Sequence, residues 1–174
     1  IQFFTATIYK WIPILLNDRI KKIIVNSLNF LSENKRCRIY AFVIMPNHIH
    51  VLWRINDGFK REDVQRDFLK FTAQQIRFDL FDNNSKFIKN LEVNLKDRRI
   101  QIWQRNSLSV DLWSRKSVEQ KLDYIHFNPV KHGLVDRVKE WEYSSFHRCV
   151  AKGIYSEDWG IHENISFDGL SVGE

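Results

Sequence analysis

The stretch that most constrains the fold runs from Arg38 to Ile55. Residues 38–45 form an apolar run rich in β-branched and aromatic side chains, followed by Pro46-Asn47. Residues 48–55 then alternate again. Apolar runs of this length bounded by a turn signal read as a buried strand and its partner strand. A lone pair of strands is barely stable in water, so the rest of the chain must supply more strands and an apolar cover.

The flanking sequence offers both. Residues 3–9 read as a strand, and residues 18–33 place Ile20, Ile23, Ile24, Leu28 and Leu31 at helical spacing after Asn17-Asp18. Residues 61–81 read as an amphipathic helix with Val64, Phe68, Phe71 and Ile76 inward. Residues 83–98 are polar. Residues 100–104 read as a strand and 108–113 as a further one. Ser117 with Gln120 fits a capping box, predicting a helix that stops before Pro129. Gly133 suits a turn, and residues 144–151 a short helix. The order strand, helix, strand, strand, helix, strand, helix implies an α+β fold with a mainly antiparallel sheet.

Length and charge bound the function. The 174 residues suit one domain, and 44% hydrophobic with 14% aromatic content excludes a disordered chain. Cys37 and Cys149 form no zinc or disulfide pattern, which fits a reducing cytoplasm. No apolar run approaches the roughly 18 residues of a membrane span. The start lacks the basic region of a signal peptide and opens on Ile1, as a trimmed chain would. The net charge of +6 conceals a split. Residues 157–174 hold five acids and no Lys or Arg, so residues 1–156 carry 27 bases against 16 acids. The expected organisation is a basic catalytic body, 1–156, and an acidic tail, 157–174. The tail is either a solvated end or a cover for a basic groove. A body this basic suits a polyanion partner, nucleic acid first.

Two local patterns carry chemistry. His48 and His50, two apart on a strand, point to the same face. They are either a bidentate metal grip or two half-buried histidines. No further Cys or His lies nearby at zinc spacing, so two His plus an oxygen ligand would suit a harder divalent ion. On the later helix, Val118, Leu122 and Ile125 form one stripe. Tyr124 and Asn128, four apart, share a semi-exposed face with Lys121 and Gln120. Tyr124 is either a packing residue or a nucleophile. A tyrosine can attack a phosphodiester and hold it as phosphotyrosine. With an unperturbed pKa of about 10, it needs a nearby cation to favour phenolate.

Ile-Met-Pro-Asn-His-Ile-His at residues 44–50 and Tyr-Ile-His-Phe-Asn-Pro-Val at 124–130 resemble the REP-associated tyrosine transposases, IS200-like members of the HUH single-strand endonucleases. Supporting matches are Phe-Leu-Lys-Phe-Thr at 68–72, Ile102-Trp103-Gln104 and Tyr143-Ser144-Ser145. The resemblance runs from about Phe3 to Gly153. It implies a ferredoxin-like core with helices flanking the sheet and the tyrosine on a late helix. It implies Mg²⁺ or Mn²⁺ on His48, His50 and Asn128, with Tyr124 as nucleophile. The implied reaction is cleavage and rejoining of single-stranded DNA near a DNA hairpin, by a bacterial cytoplasmic monomer or homodimer. An amide in place of a carboxylate makes Asn128 a weaker ligand.

A single-strand binder combines cations with stacking platforms. The candidates are Arg54, Lys70, Arg105, Lys116, Lys121 and Lys131, with Trp103 and Trp113 for stacking. Lys121, one turn before Tyr124, is placed to meet a phosphate or favour the phenolate. His132 reads as a surface residue. Two other readings share part of this set: a non-catalytic, domesticated nucleic-acid-binding module, and a water-using metal nuclease that would not need Tyr124.

Overall fold

The computed structural model describes residues 1–160, so the role expected for the acidic tail falls largely outside the described residues. Six strands alternate with four helices: β1 (Gln2–Thr7), α1 (Asp18–Glu33), β2 (Cys37–Ile44), β3 (His48–Ile55), α2 (Arg61–Asp82), β4 (Glu92–Leu95), β5 (Arg98–Ile100), β6 (Leu108–Asp111), α3 (Arg115–Lys131) and α4 (Phe146–Ala151). β2 and β3 pair antiparallel, as the alternation predicts, with Met45 N–H bonded to His48 O at 2.8 Å across the turn. The sheet order is β2-β3-β1-β6, antiparallel throughout. β4 and β5 form a separate ribbon. Without that ribbon, the β-α-β-β-α-β order is the ferredoxin-like arrangement.

Alternation along the central strands divides the two faces. Phe4, Ala6, Ile49, Val51 and Trp53 meet α1 and α2, while Phe3 and Leu52 meet α3. In β2 a bulge between Ile39 and Ala41 shifts the phase. Ile39 therefore packs with the first cluster and Ala41 and Val43 with the second. The α1–α2 side centres on an aromatic group: Phe4 stacks on Trp53 at 5.1 Å, and Phe68 meets Trp53 edge-on at 6.0 Å. Such offset and edge-on pairs favour the ring quadrupoles beyond simple area burial.

Four local expectations need correction. The buried row on α2 is Val64, Phe68, Thr72, Ile76 and Leu80, and Phe71 is exposed. A row stepping by four slants roughly 40° per step round the helix, so it has passed Phe71 by that turn. The capping residue of α3 is Ser114, which accepts from Ser117 N–H at 3.0 Å, so Ser117 is the reciprocal partner at the third position. The helix runs through Pro129 to Lys131. The proline removes one helical donor only a turn from the end. There Gly133 (φ 65°) donates to Val130 O and Leu134 to Pro129 O, both at 2.9 Å, closing the terminus. Lastly, residues 100–104 form no continuous strand. β5 ends at Ile100, and Trp103 makes a single bridge to Ile8. Trp103 Nε1–H donates to Thr72 Oγ1 at 3.0 Å, which ties this segment to α2 instead.

α3 is seated by one hydroxyl. Ser145 Oγ accepts from Phe42 N–H at 2.8 Å on β2 and lies 2.8 Å from Nε2 of buried His126 on α3. His126 is held neutral, its pKa lowered to about 3 by burial and then by the charge of Arg148. Tyr155 OH donates to Asp123 on the same helix at 2.8 Å, and Trp159 packs on Tyr155 at 4.3 Å.

Phe68→Ala should cost about 3–5 kcal/mol of stability in urea unfolding, because it opens a cavity against Phe4 and Trp53. Ser145→Ala should cost about 1–3 kcal/mol in the same measurement, because a buried imidazole and a backbone N–H lose their shared partner.

Candidate active site

The α3 face of the sheet carries the histidines, and α3 brings Tyr124 to them. His50 pairs with Thr5 across the β1–β3 ladder, and Thr7 with His48, so the two rings sit where β1 ends. Their centroids are 4.7 Å apart. The Tyr124 ring meets His50 at 5.3 Å and Phe3 at 6.0 Å, both edge-on. The expected semi-exposed face is in fact closed: Tyr124, Lys121 and Asn128 are all buried, and only Gln120 of that group is exposed. The reason is the packing of α3 flat on the sheet, with its Lys121, Tyr124, Asn128 and Lys131 row turned toward β1 and β3.

Each histidine has one nitrogen engaged by a neighbour. His48 Nδ1 lies 2.8 Å from Asn47 Oδ1, an oxygen that only accepts, so Nδ1 carries a proton. His50 Nδ1 lies 2.8 Å from Thr5 Oγ1. Burial, followed by the charges of His48, Lys121, His132 and Lys131, drives the His50 pKa well below its usual range. His50 is therefore neutral, the form that ligates a metal. Nε2 of His50 and both side-chain polar atoms of Asn128 are buried without a hydrogen-bond partner. Buried polar atoms left in this state cost stability and point to a missing ion, water or ligand atom. His and amide-oxygen donors suit a divalent cation. Among the described residues, no group of three His, Cys, Asp or Glu comes together to hold a metal.

Two ammoniums flank the phenol. Lys121 Nζ lies 4.6 Å from the Phe3 ring centroid and 5.3 Å from that of Tyr124, and Lys131 Nζ lies 5.3 Å from Tyr124. Burial lowers the Lys121 pKa. Lys131 reaches this position because α3 continues through Pro129.

The other basic candidates stand elsewhere. Arg54 is exposed four residues beyond His50, beside Asp111 and Trp113. Lys116 is exposed in the first turn of α3, two turns before Tyr124. Lys70 and Arg105 lie together along α2, on the opposite side of the sheet. Trp113 is 91% exposed, whereas Trp103 is buried. The sequence reading missed Thr5, Asn47 and Trp11 as neighbours of the site and set His132 on the surface. The His132 ring is exposed to solvent yet faces His48 at 6.3 Å, and Trp11 faces His48 at 6.0 Å. Only Asn47 had a local signal, its adjacency to His48. The rest depend on strand register and on the turn after α3.

Residues 9–126 match the family model described as transposase IS200 like. A REP-associated tyrosine transposase homologue of Haemophilus influenzae is 37% identical, with 95% of each chain covered. The REP-associated tyrosine transposase of Escherichia coli is 30% identical over 74% of this chain and 66% of its own length. Among solved structures, a REP-associated tyrosine transposase bound to a REP hairpin matches with a TM-score of 0.74 and 26% identity, covering 99% of this chain and 90% of that one. The ferredoxin-like fold, the matched span and the near full-length relatives agree: this chain belongs to the IS200-like transposase family, among the REP-associated tyrosine transposases, and is an enzyme.

Proposed function

We propose that this chain nicks and rejoins single-stranded DNA beside a DNA hairpin, using Tyr124 as nucleophile. The observation that carries the reading is the meeting, in one buried pocket, of Tyr124 with the His48–His50 pair, 5.3 Å from His50 between ring centroids. Tyr124 gives up its phenolic proton to water, and its oxygen attacks the scissile phosphorus. The phosphorus–O3′ bond breaks, the 3′ oxygen takes up a proton from water, and a 5′-phosphotyrosine remains. Rejoining reverses the exchange: a 3′ hydroxyl loses its proton to water and attacks that phosphorus, the bond from phosphorus to the Tyr124 oxygen breaks, and the phenolate takes up a proton from water.

The two lysines have distinct parts. Lys121 and Lys131 favour the phenolate by charge, and the same ammoniums neutralise the phosphate that must lie against it. His48, His50 and Asn128 would hold Mg²⁺ or Mn²⁺, which would polarise the phosphate and stabilise the departing oxygen. Thr5 and Asn47 orient the two imidazoles through Nδ1, leaving Nε2 as the ligating atom of each. One chain supplies every member of this set, which fits a monomer or a homodimer with a complete site in each copy. A DNA partner fits an enzyme of the bacterial cytoplasm, at the nucleoid. Among the described residues, no helix is long and apolar enough to cross a membrane.

Incubation with hairpin-flanked single-stranded DNA and Mn²⁺ should yield an SDS-stable protein–DNA adduct. Tyr124→Phe should abolish it while leaving binding largely intact, and an adduct that persists in this variant removes Tyr124 from its role. Thr5→Val should weaken Mn²⁺ binding by about 10–100-fold in titration calorimetry, because the His50 ring loses its orienting partner. Unchanged Mn²⁺ affinity in both Thr5→Val and His50→Ala would move the metal elsewhere.

A further inference from the structure

A further concavity lies away from Tyr124. It is a cleft of about 1040 Å³ along α2, on the other side of the sheet. One wall is the outer face of α2, with Arg66, Lys70 and Arg77. The other is the segment from Asp97 to Ser107, with Arg98, Arg99 and Arg105. Arg98 is paired with Asp97 at 2.6 Å and Arg66 with Asp63 at 2.8 Å. Lys70, Arg77, Arg99 and Arg105 make no ion pair among the described residues. Glu62 and Asp97 also line the cleft, and Asp97 feels the charge of Arg105 as well as pairing with Arg98. Six basic side chains against these two acids leave the concavity net positive, which favours entry of a polyanion.

The lining suits a nucleic-acid strand in other ways. Gln74, Gln101 and Gln104 offer amides to base edges, and Phe81, at 49% exposure, offers a ring face at one end. The two walls are tied together through the Trp103–Thr72 bond. The cleft also leads toward the active site. Gln104 N–H donates to Thr7 O at 2.8 Å, and Thr7 is the residue paired with His48. A strand leaving the histidines can pass over the end of β1 and continue into the cleft.

We infer that this α2 cleft is a second binding track, holding the single-stranded DNA that flanks the segment cleaved at Tyr124. This rests on the single-strand nuclease reading above. It assigns Lys70, Arg77, Arg99 and Arg105 to the flank and leaves Lys121 and Lys131 to the scissile phosphate. The track lets the enzyme grip an extended strand on both sides of the sheet at once, which strengthens binding without a tighter active site.

The test uses the full chain and a fluorescein-labelled dT20 strand, followed by anisotropy across a salt series. The triple variant Lys70→Ala, Arg77→Ala, Arg99→Ala should bind roughly tenfold or more weakly. Its log–log salt slope should fall by about 2, as three phosphate contacts on a single strand are lost. The charge-conserving set Lys70→Arg, Arg77→Lys, Arg99→Lys should retain binding, which separates charge loss from misfolding. If wild type binds dT20 and the triple alanine variant binds it equally with the same slope, the cleft is not a track, while the nuclease reading stands. If that variant instead loses affinity for a blunt duplex and keeps it for dT20, the single-strand assignment is wrong. Failure of the charge-conserving set to bind would also overturn the electrostatic account. Failure of wild type to bind either DNA would overturn the nuclease reading with it.

Discussion

Everything in this protein hangs on β3 being buried on both faces. A strand's side chains alternate, so a strand covered on both sides can serve two purposes with one sequence. Ile49, Val51 and Trp53 anchor the core against α1 and α2. The intervening positions His48 and His50 face α3. The histidines are therefore mounted on the most rigid element available, flanked by strands on either side. Rigid mounting matters for a site whose parts must hold their geometry to within a fraction of an ångström.

The price of that mounting appears in the electrostatics. Two imidazoles, the Lys121 ammonium and an amide are taken out of water together around one phenol. Burial drives His50 neutral and lowers the Lys121 pKa. Asn128 and the Nε2 of His50 keep buried polar atoms without partners. An arrangement of this kind is poorly explained as packing, since well-fitted apolar side chains would cost less. It is consistent with the proposed placing of a cation and a phosphate there. α3 is held against the sheet by links outside the site itself, through Ser145, His126 and the Asp123–Tyr155 bond. The reacting groups are thus not required to hold their own helix in place.

Much of this was legible in the residues. The alternation around Pro46 specifies the β2–β3 pair and puts His48 and His50 on one face, because strand periodicity is local. The four-residue spacing of Tyr124 and Asn128 likewise survives folding, because helix periodicity is local too. Where the reading failed, the cause was non-local. Phe71 and Thr72 exchange places because the stripe that α2 buries depends on its angle to the sheet. Pro129 stays within α3 because the Gly133 terminus closes the last turn beyond it. Trp103 leaves its expected strand because Thr72 and Ile8 compete for it. The basic candidates, equivalent in sequence, separate into different regions of the molecule.

By itself the sequence determined the element types outside residues 83–104, the shared face of the two histidines, and the pairing of a tyrosine with an amide one turn away. These follow from the 2.0 and 3.6 periods of the backbone, which need no partner to be read. Only the tertiary structure decided that Tyr124 is buried against His50 and that Lys131 and His132 join the site. It alone showed that Thr5 orients an imidazole and that Lys70 and Arg105 line a separate cleft. Those facts depend on strand register, on the seating of α3 and on which face of α2 is covered, and each is set by contacts between residues far apart in the chain.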